Sequence, residues 1–99
     1  MTDYSGTMRA ILQGIARAGL SYGRDTQGRR VATTRPGGRI YADLAGDRYE
    51  LQLWGEGTGA ALQGIGGDLA QALGVAWARV DLVGEGRAFV VLPHQARKG

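Results

Sequence analysis

Cysteine is absent from this chain of 99 residues. No disulfide can form, and no thiolate is available as a metal ligand or nucleophile. Histidine occurs once, at His94, so a zinc site or a catalytic triad lacks its usual imidazoles. Ser5 and Ser21 are the only serines, and neither sits in a Gly-x-Ser-x-Gly elbow. No Gly-x-x-x-x-Gly-Lys-Ser/Thr sequence occurs, which excludes a P-loop. The nine acids show no ligand spacing. No apolar run approaches the roughly 20 residues that span a bilayer. Met1 to Met8 contains no basic region followed by an apolar stretch, so no secretory signal is read. These absences argue against an enzyme, a cofactor, a metal site, a small-molecule substrate and a membrane protein. The expected setting is cytoplasmic.

Apolar residues make up 43% of the chain and charged residues 21%, enough for one hydrophobic core and too apolar for wholesale disorder. A single domain over residues 1–99 is expected, with an ordered core over 6–93 and a polar tail over 94–99. The 18 glycines follow no period and read as tight turns.

Met8, Ile11, Leu12, Ile15 and Ala16 recur at helical spacing and predict an amphipathic helix over residues 6–18. Ser5 or Thr7 is expected to cap its start and Gly19 to end it, with Arg9 and Arg17 exposed. Residues 21–28 read as a loop. Arg30 to Thr34 and Arg39 to Leu44 read as a hairpin about Arg35-Pro36-Gly37-Gly38, with Ile40, Ala42 and Leu44 on one side and Tyr41 and Asp43 on the other. Arg48 to Trp54 alternates clearly: Tyr49, Leu51 and Leu53 inward, Glu50 and Gln52 outward. Residues 55–67 read as mostly irregular, with a helical turn allowed over 60–63. A short helix over 68–73, a strand over 76–83 and a strand over 87–92 complete the order α-β-β-β-α-β-β. The expected fold is α+β: an antiparallel or mixed sheet of four to five strands with two helices on one face.

Several of these segments occur together in a known order. Arg48-Tyr49-Glu50-Leu51-Gln52-Leu53 is followed by Leu62-x-x-Ile65-x-x-Asp68-Leu69-Ala70-x-x-Leu73, then Ala78-Arg79-Val80, a Gly-x-Gly turn, and Val90-Val91-Leu92-Pro93. This succession resembles the small α domain that precedes the motor in FtsK/SpoIIIE-type DNA translocases. The resemblance implies a domain that stacks as a ring beside the motor ring around double-stranded DNA and holds no nucleotide itself. It implies possible partners in duplex DNA, a DNA translocase ring and further copies of the chain. The hairpin over 30–44 is longer than the family's corresponding region, the turn at Gly84-Glu85-Gly86 is shorter, and no motor sequence is present. Both a free-standing protein of a mobile element and a fragment of a longer chain fit that pattern.

Charge placement is the strongest functional signal. Arginine supplies 11 of the 12 basic residues, and the net charge is +3. Arg24, Arg29, Arg30, Arg35 and Arg39 face a single nearby acid, Asp25, so residues 24–39 carry +4 and the rest sum to −1. Such a patch can neutralise phosphates; it can equally be a solvated edge that resists aggregation. Arg35 and Arg39 flank the hairpin tip, Arg29 and Arg30 its base, and Tyr41 adds an aromatic ring. These residues are the candidate nucleic-acid or partner site. Trp54 and Trp77 read as core or core-rim residues, with Trp54 the one more suited to be an exposed interface anchor. Gly64-Ile65-Gly66-Gly67 matches the Gly-x-x-Gly loop of KH domains but has no basic residue beside it, and reads as a lead into the second helix. The rival function is a small phage- or plasmid-type protein that inhibits or adapts a protein partner through the same hairpin or through Trp54.

Overall fold

The computed structural model describes residues 4–17 and 19–93. Its elements run α1 (Tyr4–Ala16), β1 (Ser21–Arg24), β2 (Arg30–Thr33), β3 (Arg39–Ala45), β4 (Arg48–Trp54), α2 (Thr58–Ala61), α3 (Gly66–Leu73), β5 (Arg79–Leu82) and β6 (Arg87–Val91). The fold is α+β, with one six-stranded sheet in the order β1-β2-β3-β4-β6-β5 and every neighbour antiparallel. The helices pack on one face of it.

The apolar stripe of α1 explains why that helix docks. Ile11, Leu12 and Ile15 are fully buried or nearly so, one helical turn apart, and face Ala32 and Ile40 of the sheet and Leu69 of α3. The helix begins two residues before the expected start, so Ser5 and Thr7 lie inside it rather than capping it. Its end is closed as expected around Gly19, where Gly19 and Leu20 both donate their N–H to the Ala16 carbonyl.

Residues 21–24 correct the expected loop. They form edge strand β1, paired residue for residue from Ser21↔Thr33 to Arg24↔Arg30. Ser-Tyr-Gly-Arg has little strand propensity of its own. The segment is extended because β2 supplies a hydrogen-bonding edge and Tyr22 packs against the core. This strand raises the count to six, not four to five.

Strand β4 keeps its expected alternation: Tyr49, Leu51 and Leu53 are buried, and Trp54 is exposed. Strands β5 and β6 form the expected final hairpin, but β5 starts only at Arg79, not at Ala76. Gly74 caps α3 in the left-handed conformation, its N–H reaching the Ala70 and Gln71 carbonyls. The next few residues are then spent carrying the chain from the helix layer to the sheet edge. The second helical region is also larger than expected, with α2 and α3 both formed and α3 starting at Gly66, so three helices rather than two cover the face. Of the Gly64–Gly67 segment, Gly64 and buried Ile65 form the expected lead-in, whereas Gly66 and Gly67 are the first residues of α3. Among the described residues no helix is long and apolar enough to cross a membrane. The expected tail over 94–99 lies outside the described residues.

Candidate anion-binding site

The turn between β1 and β2 organises the functional residues, one group of which lies beside α1 and the other on the sheet face turned away from the helices. Asp25 is the centre of that turn. Its carboxylate accepts hydrogen bonds from the backbone N–H of Gln27 and Arg29, from Arg29 Nε and from the Tyr41 hydroxyl, each 2.9 Å long. Its backbone is bonded to Arg29 and Gly28. An aspartate that accepts from the amides after it is the usual chemistry of such turns. Burial pushes the Asp25 carboxyl pKa up, but the bonds from the Arg29 amide, Tyr41, the Gln27 amide and the Arg29 side chain outweigh it. The result is a pKa lowered to about 2, and the carboxylate stays ionised at any ordinary pH.

Tyr41 shows why this turn matters. By alternation it points away from the core, yet it is only 6% exposed. The Arg29 guanidinium lies 4.5 Å from its ring centroid, and Asp25 holds both its hydroxyl and that guanidinium. The ring is buried by a turn 12 to 16 positions earlier in the chain, not by the helices.

Two hollows adjoin at this unit. The first, about 350 Å³, lies past the two residue pairs that join β2 to β3. Met8, Leu12 and Ala42 give it an apolar floor, while Arg9, Arg24, Arg29 and Arg30 surround it, with Asp43 the only carboxylate in its lining. Arg24 and Arg30 stand opposite each other across the β1–β2 ladder, and Arg24 donates to the Gly28 carbonyl at 2.7 Å. The second hollow, about 420 Å³, is lined by Arg29, Gly37, Arg39, Tyr41, Trp54 and Gly55. The β3–β4 register sets Arg39 directly opposite Trp54. Arg29 and Tyr41 line both hollows, so the two form one continuous track.

The arginines of this track differ in electrostatic state. Arg29 is paired with Asp25 at 2.9 Å. Arg9, Arg24, Arg30 and Arg39 have no carboxylate partner among the described residues. Elsewhere, Arg87 pairs with Glu50 at 3.1 Å and Arg79 with Asp81 at 2.9 Å. Arg48 and Arg87 lie over the Phe89 ring, and Arg79 approaches Trp77. Arg17, Arg35 and Arg48 also lack a carboxylate partner among the described residues but lie outside the track, so four of the seven unpaired arginines described are gathered in it.

Six of the seven candidate residues come together here: Arg24, Arg29, Arg30, Arg39, Tyr41 and Trp54. Arg35 does not. It lines a separate depression with Leu20, Pro36 and Ala60 near the helices. The hairpin tip does not project freely either. The Thr34 hydroxyl donates to the Glu56 carbonyl and accepts from the Gly38 amide, both at 2.7 Å, and this ties the tip to the segment after β4. A Cβ at Gly38 would collide with that carbonyl, so the approach requires glycine. The expected core or core-rim placement fails most clearly at Trp54, which is 62% exposed, while Trp77, in the link between α3 and β5, is 39% exposed and so not core. Arg9 was not among the sequence candidates. Its only signal was a position beside the apolar stripe, next to Met8.

Among the described residues no cluster of acidic or histidine side chains is arranged to hold a metal ion. No protein-family model matches the chain, and comparison with curated proteins and with solved structures finds no similar protein or fold.

Proposed function

We propose that this chain is a non-catalytic, DNA-associated binding module that holds the phosphate backbone along the arginine track. The observation that carries this reading is the gathering of Arg9, Arg24, Arg30 and Arg39 without carboxylate partners, while Arg29, Arg79 and Arg87 are neutralised. Guanidinium groups suit phosphate because they donate in a fixed fork. The apolar floor of Met8 and Leu12 lowers the local dielectric and strengthens the attraction. In a cytoplasmic setting such a module would act beside larger machinery, and the resemblance to the translocase α domain suggests a ring-shaped translocase as that machinery.

The test is binding to a short fluorescent DNA, measured by anisotropy as salt is raised. Four phosphate contacts on a duplex give a log–log slope of about −3 to −4. Arg24→Ala together with Arg30→Ala is expected to weaken binding and flatten the slope by about 2, while Arg35→Ala leaves both unchanged. No DNA binding at about 50 mM salt would sink the reading and leave an acidic protein surface as the partner of these charges.

A further inference from the structure

The second hollow carries features that phosphate contact does not use. Trp54 is 62% exposed at the end of β4. Its neighbours in the hollow include Gly37 and Gly55, which have no side chains to cover the indole. Arg39, opposite it across the strands, has no carboxylate partner among the described residues. Two positions along β3, about 7 Å away, the Arg29 guanidinium is held over Tyr41 by Asp25. The hollow thus offers an open indole and, two strand positions away, a fixed guanidinium, with an unpaired cation directly across from the indole and the cationic cleft beyond.

From this geometry we infer that the track takes single-stranded nucleic acid, with one base stacked on Trp54, a neighbouring base against the Arg29 guanidinium, and the intervening phosphate on Arg39. The inference rests on the proposed phosphate-binding function and names its substrate. An intact duplex keeps its base faces stacked internally, so it can engage the arginines but not the indole. Unpaired bases present their faces, and aromatic rings and guanidinium planes are the usual platforms for them. A second copy of the chain is a poorer occupant. A two-fold contact through Trp54 would bring Arg39 against its own counterpart or nearly so, and like charges brought together without counter-charge oppose association.

The test uses the full chain with Trp77→Phe, so that Trp54 is the only tryptophan. The probes are an oligothymidylate of about 12 nucleotides, within the roughly 4–16 that one small domain covers, the same backbone without bases, and a duplex of equal length. Oligothymidylate is expected to quench Trp54 fluorescence and to bind more tightly than either other probe. In the natural sequence Trp54→Ala is expected to weaken oligothymidylate binding about 10-fold or more and to leave the abasic backbone unaffected, whereas Trp54→Phe recovers part of the loss. Because the side chain is largely exposed, circular dichroism should show the fold of these variants unchanged. Equal binding of single strand, abasic backbone and duplex, each weakened by Arg24→Ala with Arg30→Ala but not by Trp54→Ala, would overturn the inference and leave the phosphate reading standing. Failure of all three probes to bind at low salt overturns both.

Discussion

Replacing Thr34 by valine keeps the shape of the side chain and removes its hydroxyl. Thr34 is 6% exposed, and that hydroxyl accepts from the Gly38 amide and donates to the Glu56 carbonyl. The substitution therefore strands two backbone groups at once. The Gly38 N–H is buried, and leaving it unsatisfied costs about 1–3 kcal/mol. Glu56 is an exposed residue, so its carbonyl regains water more easily and adds about 0.5–1 kcal/mol. The expected loss is roughly 2–4 kcal/mol, a large part of the 5–15 kcal/mol typical of a domain. It should lower the melting temperature by about 8–32 °C at 4–8 °C per kcal/mol. Urea titration should show the midpoint falling with an unchanged slope, because the surface exposed on unfolding is the same. Thr34→Ser keeps both bonds, loses one methyl worth about 1 kcal/mol, and should lie near the parent. The link also joins the β2–β3 turn, which carries Gly37, to the segment holding Trp54 and Gly55, so Thr34→Val should loosen the second hollow. A valine variant within about 0.5 kcal/mol of the parent, the usual scatter of neutral changes, would refute this account of the tip.

Other perturbations test the core and the turn. Leu51→Ala opens a cavity at a fully buried position between the helices and the centre of the sheet; denaturant unfolding should show a loss of about 2–5 kcal/mol. The Asp25 pKa falls from 3.8 to about 2 on folding, so its stabilising effect is fully present above about pH 3.8 and is lost as pH drops toward 2. Melting temperature measured across that window should fall more steeply for the parent than for Asp25→Asn, which is expected to be less stable at neutral pH. An Asp25→Asn variant with the parent's acid sensitivity would show that other carboxylates govern the acid limb.

Much of the fold was legible because its signals are local. The helical spacing of Ile11, Leu12 and Ile15 and the alternation of Tyr49, Leu51 and Leu53 each lie within a few residues, and each puts an apolar face on one side. Strand β1 was not legible. Its four residues carry no alternation strong enough to declare a strand, and only the edge offered by β2 makes them one. Trp54 facing outward followed from the same alternation that buries Leu51 and Leu53, whereas the exposure of Trp77 depended on where the chain crosses from α3 to β5. Tyr41 defied its alternation because a remote turn folds over it.

The sequence by itself determined the types of the main elements, the face that each main strand buries, the absence of thiol and P-loop chemistry, and the clustering of arginine between positions 24 and 39. Those are properties of composition and short-range period. Only the tertiary structure decided which arginines are free to meet a ligand. Charge neutralisation depends on what lies across a ladder or over a turn: Arg29 finds Asp25, and Arg87 finds Glu50 on the next strand. Folding also brings Arg9 of the first helix beside Arg24 and Arg30, and leaves Arg35, from the middle of the same cluster, in a separate depression with Leu20 and Ala60. Proximity in the chain could not have separated these residues, because the hairpin's fold, not its spacing, sets which neighbours each one meets.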